Sequence, residues 1–197
     1  TGSVGAAIKA GEEAIQSLLD DLSDSTTAQK GAGMIGLSPA GKLSDVNIIV
    51  TPRMFGAVVG ADATNPIQAA LDDARPVLVI DEPYLHNPEI PLMVPSNKII
   101  WFVGAGRITA LPCDSGSHRC LDITLKENVT IINPKVYGER AGHIGTTGEA
   151  GFGIYILSSK DVRVFGGKMN DWWGDGIYIG AFNTSAHYNC ERILIDN

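Results

Sequence analysis

Beyond Pro76 the apolar residues come in short runs, such as Val77-Leu78-Val79-Ile80 and Ile99-Ile100-Trp101-Phe102-Val103, each bounded by Pro, Asn, Asp or Gly. Runs of this length between turn formers predict strands. The runs also repeat. Gly153-Ile154-Tyr155-Ile156 recurs 23 residues later as Gly176-Ile177-Tyr178-Ile179, and Leu121-Asp122-Ile123 holds the equivalent place 33 residues before Ile154. Val129 and Ile131 follow Leu121 by 8 and 10 residues, Val162 and Val164 follow Ile154 by the same intervals, and Ile193 and Ile195 follow Ile177 by 16 and 18. A two-strand unit recurring about every 23 to 33 residues, with length changes confined to Gly-, Asn- and Asp-rich segments, signals a solenoid.

Neither a Leu/Asn signature nor a helix per repeat is present, which disfavours leucine-rich and ankyrin solenoids. Short strands alternating in and out with tight polar turns predict a mainly β fold, a parallel β-helix in which equivalent strands of successive coils stack. Ile154, Ile156, Ile177 and Ile179 then point inward, Tyr155 and Tyr178 outward, and Asp122 faces solvent between the inward Leu121 and Ile123. A β-sandwich of hairpins is the runner-up, disfavoured by the recurrence of Gly-Ile-Tyr-Ile.

The first third reads differently. Ile8, Ile15, Leu18, Leu19 and Leu22 follow helical spacing, which predicts one amphipathic helix over residues 4–22. Its stripe packs on the rest of the chain or on copies of itself. Gly31, Gly33, Gly36, Pro39 and Gly41 make residues 25–44 a linker. A second, short helix opens at Asn65-Pro66, with Asn65 as N-cap, Ile67, Ala70 and Leu71 on one face, and Pro76 as its stop. Unpaired strand edges invite association, so this helix is expected to lie as a lid over the first coil.

Charge and composition narrow the function classes. The 197 residues carry 15 Lys+Arg against 22 Asp+Glu, a net charge of -7, so no basic excess exists for nucleic acid or an anionic membrane. With 44% hydrophobic residues the chain is too apolar for disorder, and it contains no run of 18 apolar residues and no signal-peptide pattern. The acidic excess is uneven: residues 1–96 hold 5 Lys+Arg and 12 Asp+Glu, whereas residues 97–197 hold 10 of each. Cys113, Cys120 and Cys190 are too few and odd in number for a disulfide framework. Cys113, His118 and Cys120 match no zinc spacing and lack a clear fourth ligand, so no metal and no cofactor are expected.

Three stretches carry a family likeness. Phe55-Gly56-Ala57-Val58 followed by Asp62-Ala63-Thr64-Asn65-Pro66-Ile67-Gln68-Ala69-Ala70-Leu71-Asp72, then Ile99 to Ile108 with Gly104-Ala105-Gly106, then Gly174-Asp175-Gly176-Ile177, resemble bacteriophage tailspikes and related glycan depolymerases built on the pectate-lyase-like right-handed β-helix. The chain departs from the family entry segment at Met54, where Asp is usual, and at Gly60-Ala61-Asp62, where Gly-Asp-Gly is usual. Lys30-Gly31-Ala32-Gly33-Met34-Ile35-Gly36-Leu37 is similar to the Gly-rich segment that joins such a β-helix to its virion anchor. The resemblance implies residues 1–50 as a virion-proximal or trimerising segment, 51–96 as entry and capping helix, and 97–197 as the first coils. Because no capping sequence follows Ile195, the chain reads as the N-terminal portion of a longer protein.

The function so implied is a receptor-binding tailspike that recognises and depolymerises a bacterial capsular polysaccharide or O-antigen. It would act as a homotrimer in the virion tail, attached to other tail proteins. The alternatives are a non-catalytic, trimerising adaptor and a cellular pectate-lyase or polygalacturonase relative. Glycan cleavage requires paired carboxylates or a base with a cation. Asp171 and Asp175 flank Trp172-Trp173-Gly174, and the loop 137–151 offers Glu139, Arg140, His143 and Glu149. Asp171, Asp175 and Glu149 are therefore the catalytic candidates. Trp172, Trp173, Tyr155 and Tyr178 are the candidate sugar-stacking residues. In the resembling enzymes cleavage sites lie on middle coils, which places the site of the whole protein beyond this stretch as an open alternative.

Overall fold

The computed structural model describes residues 48–146, 148–182 and 189–196. The helix expected over residues 4–22 and the linker over 25–44 lie outside the described residues. The described part is mainly β, with one short α-helix, α1 (Thr64–Asp72). Its strands are β1 (Ile49–Val50), β2 (Val77–Ile80), β3 (Pro83–His86), β4 (Leu92–Met93), β5 (Ile99–Phe102), β6 (Arg107–Ala110), β7 (Ser117–Thr124), β8 (Glu127–Ile132), β9 (Lys135–Tyr137), β10 (Ala150–Leu157), β11 (Lys160–Phe165), β12 (Lys168–Asn170), β13 (Ile177–Gly180) and β14 (Leu194–Asp196). They form three sheets, ordered β1-β2-β5-β8-β11-β14, β12-β9-β6-β3 and β13-β10-β7-β4. Every strand pairing is parallel. From β2 onward the chain therefore visits the three sheets in fixed rotation and adds one strand to each per circuit, which the hairpins of a β-sandwich cannot do.

The register is that of the internal repeat. Leu121 pairs with Ile154 and Ile154 with Ile177, while Val129 pairs with Val162 and Ile131 with Val164, which in turn pairs with Ile195. Alternation in β8 and β10 buries Val129, Ile131, Ile154 and Ile156 completely. Ile177 is half-buried against the core, but Ile179, expected inward, is 46% exposed, because β13 is the last strand of its sheet and no described strand covers its outer edge. The circuits begin earlier than residue 97, since β2, β3 and β4 already complete one.

Tight turns between circuits use stacked left-handed residues. Asn97, Asn128 and Asp161 have φ of 62°, 55° and 52°, and Asn128 Nδ2 donates to Asn97 Oδ1 at 3.1 Å. Asn and Asp accept this conformation better than most side chains, which explains their spacing in the sequence. At the turn between β5 and β6 a different constraint operates. A Cβ on Gly106 would stand 1.8 Å from the Ile80 carbonyl oxygen of the circuit below. Gly106→Ala is expected to lower unfolding free energy by about 1–3 kcal/mol, as the stacked turn shifts to make room. Chemical denaturation with an unchanged midpoint would contradict this.

The entry end is closed by three devices. The first sheet is extended by β1, and Ala63 N donates to Leu85 O at 2.9 Å along the free edge of β3. On the free edge of β4 the side-chain amide of Gln68 takes the place of a strand: Met93 N donates to Gln68 Oε1 at 2.7 Å, and Gln68 Nε2 donates to Met93 O at 3.1 Å. Ile67, Ala70 and Leu71 of α1 are fully buried beneath, so the helix is the expected lid. It starts at Thr64, not at Pro66. The N-cap position falls on Ala63, which offers no side-chain cap; Asp62 Oδ1, one residue earlier, accepts Thr64 N at 2.9 Å, and Asn65 lies inside the first turn. It ends at Asp72, as Asp73 turns the chain by accepting Arg75 N at 2.9 Å and pairing with Arg75 Nε at 2.6 Å.

Candidate functional site

The outward face of the sheet β4-β7-β10-β13 carries the first cluster. Register aligns Met93, Asp122, Tyr155 and Tyr178 across it, and Arg119 with Phe152 three positions earlier. The Tyr155 and Tyr178 rings stack at 5.0 Å and 9°, and Phe152 lies 5.3 and 4.9 Å from them. Arg119 sits 4.2 Å over the Tyr155 ring and pairs with Asp122 Oδ2 at 2.6 Å. Asp122 is thus not solvated as expected: it points outward but is only 2% exposed, covered by Arg119 and by the Thr124 hydroxyl bonded to its Oδ1. The ladder is a broad, half-buried aromatic platform edged by a guanidinium.

The second cluster is the turn after β12. Asp171, at φ 62°, is exposed; its Oδ2 accepts Asn170 Nδ2 at 2.6 Å and its carbonyl accepts Arg140 N at 2.8 Å. Asp175 and Glu149 are exposed as well, and neither carboxylate makes a hydrogen bond or ion pair among the described residues. Gly174 N donates to Gly151 O at 2.8 Å, which brings the chain beside Glu149 next to the Asp171–Asp175 turn. Arg140 Nε and one terminal nitrogen donate to the Trp172 and Trp173 carbonyls at 2.9 and 3.0 Å. Together Arg140, Met169, Asn170, Asp171 and Trp172 line a shallow depression of about 220 Å³.

Of the tryptophan pair, Trp172 turns away from solvent, while Trp173 is half-buried. Trp172 is 3% exposed in the core, its Nε1 donating to Val136 O at 3.2 Å. Trp173 stacks on the His143 ring at 4.0 Å and 16° and donates its indole hydrogen to Gly148 O. Together the two indoles close over a buried group of titratable side chains.

That group is Cys113, His118, Glu139 and His143. Cys113 follows β6, His118 lies at the start of β7, and Glu139 and His143 follow β9; because β6 stacks on β9, the turns after them stack too. The side chains of His118, Glu139 and His143 are 0%, 1% and 0% exposed. Glu139 Oε1 lies 2.7 Å from His143 Nδ1, 2.9 Å from His118 Nε2 and 3.5 Å from Cys113 Sγ. His118 Nδ1 donates to the Ser115 carbonyl at 2.8 Å. Burial, with Glu139 beside it, pushes the Cys113 thiol up to about 11. Cys120, grouped with Cys113 and His118 in the sequence reading, lies alone in the core, where burial raises its thiol also. The i,i+4 pair Glu139/His143 is the signal in the sequence that marks this cluster.

The chain matches no protein-family model and no solved structure. It is 34% identical over 104 residues to the SPbeta prophage-derived uncharacterized protein YorA of Bacillus subtilis (strain 168), covering 48% of this chain and 18% of that one. It is 30% identical over 113 residues to the uncharacterized protein YclG of the same organism, covering 53% of this chain and 19% of that one. The chain thus spans less than a fifth of the length of these curated relatives. The prophage origin of the former relates the sequence to phage-borne proteins.

Proposed function

We propose that the chain forms the first circuits of a longer phage tailspike-type protein that binds a bacterial surface polysaccharide. Its stacked sheets would wind as a right-handed parallel β-helix. One observation carries the reading: the in-register platform of Phe152, Tyr155 and Tyr178 with Arg119 at its edge. Flat aromatic faces beside a charged donor suit the alternating apolar faces and hydroxyls of a sugar chain. The prophage-derived relative supports the phage assignment. On this reading the protein is a homotrimer in the virion tail, residues 1–50 belong to its attachment to other tail proteins, and the longer protein depolymerises the glycan it binds. Asp171, beside Arg140 and the Glu149 segment, is the first acid to test within this stretch, with Asp175 next.

A second reading, a trimerising adaptor without glycan contact, is favoured by Met54, Phe55, Val58 and Val59, which are 56%, 36%, 62% and 48% exposed in the entry segment. Affinity electrophoresis through gels containing purified capsular or O-antigen polysaccharide separates the two. Retardation that falls about tenfold in association constant in the Tyr155→Ala/Tyr178→Ala double variant is expected. No retardation in any of a broad set of polysaccharides, with a trimeric mass by light scattering, would replace glycan binding by the adaptor reading.

A further inference from the structure

The buried group behind the tryptophans poses a proton-counting problem. A carbonyl oxygen can only accept, so the hydrogen of neutral His118 sits on Nδ1, facing Ser115 O, and Nε2 presents a bare lone pair. That nitrogen lies 2.9 Å from Glu139 Oε1, another lone-pair donor, and the approach is not a hydrogen bond: His118 Nε2, Glu139 Oε2 and His143 Nε2 are all buried without a hydrogen-bond partner. Buried polar atoms are nearly always satisfied, and three orphans around one carboxylate point to a missing positive centre. Cys113 Sγ completes the set: the ligating atoms of Cys113, His118 and Glu139 all lie within 4.8 Å of one another. Tetrahedral zinc separates its N, O and S ligands by about 3.3–3.6 Å, so small side-chain shifts suffice.

We propose that Cys113, His118 and Glu139 bind one divalent transition-metal ion of the zinc class, with His143 as the residue that orients the Glu139 carboxylate. Thiolate and imidazole together select zinc-like ions over calcium or magnesium. The Ser115 carbonyl on His118 Nδ1 is the outer-shell contact that such a ligand requires. On binding, the Cys113 Sγ–H bond breaks, its proton leaves to solvent, and a metal–sulfur bond forms. The ion ties the turn after β6 to the insertion after β9, and Trp172 and Trp173 shield it from water. Because the ligating side chains of His118 and Glu139 are buried, the ion enters as the chain folds.

The test is to unfold the full chain in a chelator, refold it with cobalt(II), and record the absorption spectrum. A thiolate-to-cobalt band saturating at one ion per chain and displaced by zinc is expected, with a higher melting temperature in zinc than in chelator. Cys113→Ala removes the band, Cys190→Ala keeps it, and His143→Ala weakens affinity about 10- to 100-fold. If Cys113→Ala does not fold, His118→Gln and Glu139→Gln test the same ligands. A folded wild-type chain with no thiolate band and no melting shift in zinc overturns the proposal in favour of a metal-free His118–Glu139 ion pair, and so does a band that survives Cys113→Ala.

Discussion

Replacing Ile131 with alanine lowers the free energy of unfolding by about 2–5 kcal/mol, the range for removing a fully buried aliphatic side chain from a core that cannot collapse around the gap. Collapse is unusually restricted here. Ile131 lies on β8, in the interior of the six-stranded sheet, with Ile100 on one side and Val164 on the other in strict register. Ile100 is itself stacked on Leu78. The backbone spacing of those strands is set by their ladder hydrogen bonds, so neighbours cannot move along the stack to fill the void. The melting temperature should fall by about 10 °C and the urea midpoint should drop at nearly constant slope. Thr130→Ala, on the opposite face of the same strand and only half-buried, serves as the comparison and should cost well under half as much. Equal losses in the two variants would show that the inward stack is not what holds the circuits together.

Acid weakens the fold through His86. This residue ends β3, is fully buried beneath α1, and contacts Thr64 Oγ1 at 3.3 Å and Arg119 O at 3.4 Å. The Thr64 hydroxyl spends its hydrogen on Asp62 Oδ1, 2.5 Å away. Burial holds the His86 imidazole down at about 4 against an ordinary value of 6.5. The unfolded chain therefore binds this proton first as pH falls. The stability in question is fully present above pH 6.5 and is lost progressively down to about pH 4, a total of about 3 kcal/mol. The carboxylates of Asp62, Asp73 and Asp161, held below the usual range, act with the same sign but only below about pH 4. Urea unfolding at intervals between pH 7 and 4 should show the His86→Gln chain flatter than the wild type by that amount. Parallel curves would mean that His86 takes up its proton in the folded state at no cost.

How much of this was legible in the sequence depends on whether like meets like. In a stack of parallel strands each residue sits on its equivalent one circuit away, so a repeat in the chain is a contact in space. That is why Gly-Ile-Tyr-Ile at two places predicted the Ile154–Ile177 equivalence and two outward tyrosines, which the register then stacks on one another. The lid helix was readable locally, from its apolar face, although it ends at Asp72, before the expected stop at Pro76. Its start was not, because Asn65 is a good capping residue by type and only the docking of Ala63 on β3 moves the start back to Thr64.

The insertions between strands carry no repeat, and there the linear reading misplaces residues. Trp172 looked like a surface ring beside two acids, yet the stacking of the turns after β6, β9 and β12 turns it into the core and sets Trp173 over His143. Asp122 looked solvated by alternation alone, but Arg119 and Thr124 of its own strand close over it. Cys113 and Glu139, 26 residues apart, become neighbours only because β6 lies on β9. The sequence by itself determined the parallel stack, its register and which faces of the strands are apolar, since these follow from periodicity. The tertiary structure alone decided which polar side chains the turns bury together, since that depends on how insertions of unequal length fold over the coil.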